Sequence, residues 1–214
     1  MNKPLLIIMT KWPRYGHCKT RLSKDVGKKN ALLIQIMMLQ HTISVAKSLF
    51  EKNILDISLA ISGIGFNSSK RWCQQLGLKD FYLQGKGSLG ERMRRQILKH
   101  QKHSFLNKDR PLIFIGTDLP NLCHLELIET ISRLKSSEVV IGPSSDGGYW
   151  LIAFSAKILS NNLFHPFIDI KWSTSNVLQK TIDNLNKINL KVDYLNNKID
   201  VDNIHDLVKV SNGE

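Results

Sequence analysis

The sequence predicts an α/β protein built on a mainly parallel β-sheet with helices on both faces. Short apolar runs of strand length, at 5–9, 54–61 and 112–115, alternate with segments of helical period, which is the order of βαβ units. Those runs are apolar at nearly successive positions rather than alternate ones, as strands covered on both faces are. At 214 residues, 42% hydrophobic and 22% charged, the chain has the size of one domain spanning 1–214. A chain of that size buries about 70% of the surface it exposes when unfolded.

The elements follow in order. Leu5 to Met9 form a first buried strand, and residues 10–16 a loop. After the turn Asp25-Val26-Gly27, residues 30–50 place Leu33, Ile36, Met37, Leu39, Ile43, Ala46 and Leu49 at helical spacing. Residues 54–61 form a second strand, stopped by Ser62-Gly63; 68–76 form a short helix and 81–83 a short strand. A Gly-rich turn at 84–87 leads into a basic helix over 90–103. The strand 112–115 precedes a helix at 124–135, and the strands 138–141 and 149–154 flank a second Gly-rich turn. A helix at 174–185, a strand at 190–194 and a helix at 204–210 close the chain. There is no internal repeat, low-complexity tract or linker.

Composition narrows the function classes. No apolar run approaches the ~20 residues of a membrane span. The run at 5–9 is too short for a signal-peptide core, so a cytoplasmic protein without a membrane span is expected. Cys18, Cys73 and Cys123 form no CxxC pair, which points away from a zinc knuckle or a disulfide framework. Net charge is +12, from 30 Lys and Arg against 18 Asp and Glu. The bases are spread through the chain, as in Lys70-Arg71, 92–95 and 99–108, with no basic tail and no arm interleaved with aromatics. A phosphorylated small molecule is therefore expected as partner ahead of nucleic acid. Nothing speaks to assembly beyond the general expectation of a homodimer.

Five stretches carry chemistry. Leu112-Ile113-Phe114-Ile115-Gly116-Thr117-Asp118-Leu119-Pro120 sets an acid directly beyond a buried strand, where open α/β sheets bind ligands. Asp118 suits a phosphate-bound divalent cation there, or caps the helix that follows. The loop from Lys11 to Leu22 follows the first strand and gathers Lys11, Arg14, His17, Lys19 and Arg21 around Gly16. It is no Walker loop, since Cys18 stands where a Gly should precede Lys19. Its backbone N–H groups and bases could still hold phosphate, or the loop is a solvated basic turn.

The turn Gln84-Gly85-Lys86-Gly87-Ser88-Leu89-Gly90 contains a GxGxxG, weak as a dinucleotide fingerprint because it follows the third strand. It reads as a tight turn into a helix whose early residues face a ligand. Gly142-Pro143-Ser144-Ser145-Asp146-Gly147-Gly148-Tyr149-Trp150 is either a hairpin turn or a close backbone approach to a ligand, with Tyr149 or Trp150 free to stack on a sugar or base. In Ile199-Asp200-Val201-Asp202-Asn203, alternate positions let Asp200 and Asp202 face one cation; alternatively Asp202 or Asn203 caps the last helix.

Taken in order, these segments resemble the DUF2064 family of GT-A-like transferases, also called radical-SAM/selenodomain-associated transferase 1 and related to the phospholactate guanylyltransferases. The family pattern K-x-P-x-x-G-x-x-K-T-R-L, Q-G-x-G-x-L-G-x-R-M, G-x-D-x-P-x-L, G-P-x-x-D-G-G-Y-x-L-I, W-S-T and D-V-D-x-x-x-D-L is met at 11–22, 84–93, 116–122, 142–152, 172–174 and 200–207. Ser88 stands where the family has Asp, Asn203 where Thr is commoner, and Ala153 where Gly is frequent. The resemblance implies a single-domain GT-A, nucleotide-diphosphosugar-transferase fold: a Rossmann-like α/β/α sandwich with a mixed, mainly parallel sheet.

It also implies roles. Lys11, Pro13, Gly16, Lys19, Thr20 and Arg21, with Gln84, Gly85 and Arg92, match the nucleotide- and phosphate-binding segments. Asp118 and Asp202, with Asp200 beside them, match acids that hold Mg²⁺ or Mn²⁺. Asp146, Gly147, Gly148, Tyr149 and Trp172 match the acceptor or sugar pocket, and Asp146 is the candidate base.

The leading reading is a metal-dependent transferase using a nucleotide-activated sugar, with Asp118, Lys19, Arg21 and Asp146 as catalytic residues. The alternative at the same site joins an NTP to a phosphorylated small molecule and releases pyrophosphate. From another class comes a non-catalytic nucleotide or nucleic-acid binder. The stretches expected to set specificity, 62–70 and 154–171, carry no readable pattern.

Overall fold

The computed structural model describes residues 2–102, 110–159 and 166–212. The predicted end of the basic helix at His103, the basic run as far as Lys108 and part of the stretch 154–171 lie outside the described residues. Seven strands form one sheet, β1 (Leu5–Lys11), β2 (Asp56–Ser62), β3 (Phe81–Leu83), β4 (Leu112–Ile115), β5 (Val139–Pro143), β6 (Tyr149–Phe154) and β7 (Val192–Tyr194). Their spatial order is β3-β2-β1-β4-β6-β5-β7. All neighbours are parallel except β6, which runs antiparallel to both β4 and β5. The sheet is thus mixed and mainly parallel.

The helices are α1 (Ser23–Glu51), α2 (Phe66–Gln75), α3 (Leu89–Lys102), α4 (His124–Arg133), α5 (Ala156–Leu159), α6 (Val177–Asn186) and α7 (Ile204–Ser211). Successive residues of β1 point to opposite faces and both faces are dry. Leu6 and Ile8 pack with Leu39, Ile43 and Leu49 of α1, Trp72 of α2 and Leu127 of α4. Leu5 and Ile7 pack with Met93 and Ile97 of α3 and Leu185 of α6. This is the α/β/α sandwich that the sequence predicts.

Two helix starts differ from expectation. α1 begins at Ser23, but Gly27 inside it has φ +79° and ψ 158°, so the regular period begins just beyond that break. α6 starts at Val177 because Gly147 and Ser173 to Asn176 shape an irregular approach to it, with Leu178 N–H donating to the Gly147 carbonyl (2.9 Å). By length and composition α1 is apolar enough to cross a membrane, with a mean hydropathy of 1.2 over 18 residues, contrary to the expectation that no segment comes near. The core helix of a soluble fold passes the same test, and a third of that stretch is buried, Leu39, Ala46 and Leu49 against the sheet.

The topology also locates the site. β2 and β3 lie on one side of β1, and β4 lies on the other. The connections from β1 and from β3 therefore leave in opposite directions, which opens a crevice at the carboxyl ends of β1 and β4.

Candidate active site

β4 ends at Ile115, and Gly116-Thr117 carries the chain to Asp118 in that crevice. Asp118 does not cap α4. That N-terminus is closed by Cys123 and Glu126, whose Oε2 accepts from the Cys123 N–H (2.8 Å). The Asp118 carbonyl instead accepts from the Val201 N–H (3.0 Å), while the Val201 side chain is fully buried beside Leu22 and Met38. That bond pins the C-terminal segment to the β4 loop and brings up an acid on each side of Val201. Asn203 takes the capping role at α7, accepting from His205 N–H (2.8 Å) and Asp206 N–H (3.1 Å). Asp202 keeps its carboxylate for the crevice.

Lys19 joins these acids. Its Nζ is 2.6 Å from Asp118 Oδ1 and 3.1 Å from Asp202 Oδ1, and its side chain is only 5% exposed. Burial by itself would lower the Lys19 pKa, but the two carboxylates outweigh it and hold the group above its ordinary value. Its backbone sits at φ +42°, a conformation uncommon outside glycine, asparagine and aspartate. Arg21 lies at the rim, 71% exposed, with its guanidinium 3.7 Å from Asp202 Oδ2. Asp200 has one carboxylate oxygen, Oδ1, fully buried with no hydrogen-bond partner. Its pKa is pushed up to about 7, first by burial and then by Asp146, Asp118 and Asp202.

Two cavities of about 400 Å³ each meet at these acids. The first is lined by Lys11, Lys19, Thr20, Arg21, Gln84 and Arg92, six of the residues assigned from sequence to phosphate or nucleotide. Pro13, Gly16 and Gly85 do not line it, although they shape the loops that do. The second is lined by Asp146, Gly148, Tyr149, Trp172 and Asp200, while Gly147 does not line it. Asp118 and Asp202, with Met9 and Leu89, line both. A further cavity of about 460 Å³, around Asp56, Asp80 and Arg110 at the amino ends of the strands, holds none of these residues.

Sequence reasoning missed Thr10, Gln35, Ser62 and Thr117 in the first cavity, where His17 of the basic loop also stands, and Met9, Met93, Phe114 and Ser144 in the second. Thr10, Ser62 and Thr117 stand at or beyond strand ends, where position alone was a usable signal. Gln35 is on α1 and reaches Thr117 Oγ1 (3.3 Å) only through the fold.

Local bonding explains why the loops hold their shape. The Cys18 thiol accepts from Arg14 N–H (3.0 Å) and donates to the Arg14 carbonyl (3.2 Å), closing the basic loop. The Gln84 amide donates to the Thr10 and Ala60 carbonyls (3.0 and 2.8 Å), while its oxygen faces Arg92 (3.4 Å). Gln84 thereby ties the turn to β1 and β2 and orients Arg92. Ser88 and Glu91 make the reciprocal cap of α3, which is why serine serves at this position. Asp146, Gly147 and Gly148 do form the hairpin turn between β5 and β6, with Gly147 at φ +85°. Asp146 Oδ1 accepts from Ser144 Oγ and from Gly148 N–H (2.8 Å), so the hairpin presents the acid to the cavity wall.

Trp150 corrects the expectation of a free stacking ring. It is 4% exposed, its indole packs on Gly142, and its Nε1 donates to the Asn196 carbonyl (3.3 Å). Tyr149 remains at the cavity, edge-on to Trp172 at 6.4 Å, with burial raising its hydroxyl pKa.

Oxygen donors from a few acids, shared with substrate phosphates, are the usual setting for Mg²⁺ or Mn²⁺. Among the described residues, no three His, Cys, Asp or Glu side chains are already gathered at metal-binding distance. The chemistry of the donor set nevertheless fits such an ion. Asp200 carries an orphaned buried oxygen, and Asp118 and Asp202 already share one cationic group, the Lys19 ammonium.

Parallel strands in this order, an antiparallel β6, and acids facing a basic loop across the crevice define the nucleotide-diphospho-sugar-transferase fold class. Residues 45–174 match the family described as "Uncharacterized protein conserved in bacteria (DUF2064)", and the chain belongs to that family. A Desulfovibrio desulfuricans G20 protein, provisionally assigned as a nucleotide-diphospho-sugar transferase, superposes with a TM-score of 0.83 at 25% identity, over 98% of this chain and 87% of that one. The 4-diphosphocytidyl-2C-methyl-D-erythritol synthase of Anaerococcus prevotii DSM 20548 gives 0.59 at 11% identity over 99% and 98%. Glucosyl-3-phosphoglycerate synthase of Mycobacterium tuberculosis, solved with Mn²⁺, UDP and glucosyl-3-phosphoglycerate, gives 0.52 at 11% identity over 91% and 70%. At these low identities the last two share the fold alone. No curated protein sequence matches the chain.

Proposed function

We propose that the protein is a divalent-metal-dependent transferase that moves a glycosyl group from a nucleotide-activated sugar to a small acceptor. The observation that carries this reading is the Lys19 ammonium joining Asp118 and Asp202 at the wall common to the two cavities. The nucleotide and diphosphate occupy the first cavity, against Lys11, Lys19, Arg21 and Arg92. The sugar and acceptor occupy the second. Asp118 and Asp202, with Asp200 beside them, would hold Mg²⁺ or Mn²⁺, which supplies positive charge to the diphosphate when bound.

In the reaction, the bond between the sugar anomeric carbon and the diphosphate oxygen breaks, and that oxygen keeps the electron pair. Lys19 and Arg21 balance the charge that grows there. The acceptor heteroatom bonds the anomeric carbon and gives its proton to Asp146, whose Oδ1 is already held by Ser144 and Gly148. Catalysis is then positioning plus electrostatic stabilisation.

The test is a thermal-shift panel of UDP-, GDP-, ADP- and dTDP-sugars and NTPs, with and without Mg²⁺ or Mn²⁺, followed by product analysis. A ligand at 100 times its Kd adds about 2.7 kcal/mol. Metal-dependent stabilisation by one nucleotide sugar, lost in Asp118→Asn and Asp202→Asn, is the expected result. Either substitution should lower turnover by about 10²-fold or more, the scale of losing one preorganised charge-stabilising group. Four bases around one cavity also suit a triphosphate, which is the specific observation favouring nucleotidyl transfer; release of pyrophosphate from an NTP would select that second reading.

A further inference from the structure

The two cavities that meet at Asp118 and Asp202 are opposite in charge. The first carries the bases. The second is walled by four aspartates, Asp118, Asp146, Asp200 and Asp202, and among the described residues no Lys, Arg or His lines it. Such segregation stands out in a chain with 30 Lys and Arg against 18 Asp and Glu. Lys19 compensates only Asp118 and Asp202. Neither Asp146 nor Asp200 has a Lys or Arg partner among the described residues. A cation held by Asp118 and Asp202, with Asp200 beside them, would leave the Asp146 carboxylate uncompensated in the second cavity. The remaining wall is mainly apolar and aromatic, with Met9, Met93, Phe114, Tyr149 and Trp172, and it also carries Ser144, Ser173 and Thr174.

We infer that the second cavity selects an acceptor with an apolar face and no phosphate or carboxylate, and that it favours an amine over an acid of the same shape. This rests on the transferase reading, which makes that cavity the acceptor site. A phosphate or carboxylate there would face Asp146 in a partly dry setting, where like charges repel strongly. An ammonium gains the Asp146 carboxylate, and the Tyr149 and Trp172 rings on the wall offer cation–π attraction. The same polarity keeps the donor's phosphates on the basic side of the wall. For an amine acceptor, the bound ammonium first gives one proton to the Asp146 carboxylate; the neutral nitrogen then bonds the anomeric carbon as the diphosphate leaves with the electron pair, and a second N–H proton passes to water.

The test uses 3-phenylpropylamine, 3-phenylpropanol and 3-phenylpropionate, which share ring and chain and differ in charge. Each is titrated into the full chain by ligand-observed NMR, with Mg²⁺ present and no nucleotide. The expected order is amine, alcohol, acid, with roughly tenfold or more between the first and last. The ratio should narrow as salt is raised. It should collapse to about twofold in the Asp146→Asn variant. Circular dichroism checks the fold of that variant, and the wild-type salt series stands without it.

Equal or tighter binding of the acid, an order that survives neutralisation, or no binding by any of the three would overturn the inference. Nucleotide stabilisation through the first cavity is read separately, so failure of the transferase reading leaves a different signature.

Discussion

The ammonium of Lys19 sits between Asp118 Oδ1 and Asp202 Oδ1, at 2.6 and 3.1 Å, although Lys19 and Asp202 are 183 residues apart. The first loop, the β4 loop and the C-terminal segment thus close on one another through a single charged group. The carboxylates are each nearly half exposed, at 42% and 47%, so water screens part of the pair. Removing the buried ammonium still leaves two acids facing each other, with only the exposed Arg21 beside Asp202.

Lys19→Met should therefore cost about 1–2 kcal/mol in stability and abolish phosphate-dependent nucleotide binding. Urea denaturation measures the first effect and the nucleotide thermal shift the second. Added Mg²⁺ should restore part of the stability, since a cation can take over the neutralisation of Asp118 and Asp202. Unchanged stability together with unchanged nucleotide binding would show that the bridge is incidental.

Asp200 makes a prediction about pH. Its pKa in the folded protein is pushed up to about 7, against 3.8 for the ordinary group. Below about pH 4 it is protonated in both folded and unfolded chains and costs nothing. Between the two values the unfolded chain releases the proton and the folded one keeps it, so stability falls as pH rises, and above about 7 the full cost is present. Without added metal, Asp200→Asn should be more stable than the native protein by a few kcal/mol at pH 8 and equal to it at pH 4. Divalent metal should shrink the difference at pH 8. Denaturation curves at both pH values test the sign directly.

Gly90 links the turn after β3 to the second cavity. A Cβ there would meet Phe167 Cβ at 2.6 Å and Trp172 Cζ2 at 2.8 Å. Gly90→Ala should push Trp172 off the cavity wall, cost about 1–3 kcal/mol through overpacking, and weaken acceptor binding. Nucleotide stabilisation in the first cavity should survive. Equal loss in both cavities would show that the turn responds as one unit.

Much of this arrangement was legible beforehand. The dry strands Leu5 to Ile8 and Leu112 to Ile115 announced a sheet covered on both faces, and Asp118 was placed by the end of its strand. The contacts between distant segments were not. The Val201 N–H bond to the Asp118 carbonyl, the Gln84 amide clasping β1 and β2, and Gln35 reaching Thr117 each join residues that no local pattern relates. Trp150 misled because an aromatic beside two glycines reads as exposed, whereas its alternation along β6 turns it inward onto Gly142. The cap ambiguities at Asp118 and Asp202 were settled by neighbours: Cys123 with Glu126 caps α4, and Asn203 with Asp206 caps α7.

The net charge of +12 supplies the last prediction, because it separates a site from a surface. A polyanion held by scattered Lys and Arg releases counterions on binding, so its affinity falls steeply with salt, by about 10³-fold or more between 50 and 200 mM for six or more phosphate contacts. Such binding should be indifferent to Mg²⁺ and should improve slightly in Asp118→Asn, which removes a negative charge. On the proposed reading, a nucleotide sugar in the first cavity would meet four bases beside two acids at a partly buried wall, where screening is weaker, and its binding would need a metal held with the help of Asp118. Titrating an oligonucleotide and a nucleotide sugar side by side, at low and raised salt, distinguishes the two. The nucleotide sugar should keep most of its affinity while the oligonucleotide loses nearly all of its own. If the ranking inverts and Asp118→Asn binds the oligonucleotide best of all, the charge serves a nucleic-acid surface and the crevice acids have some other task.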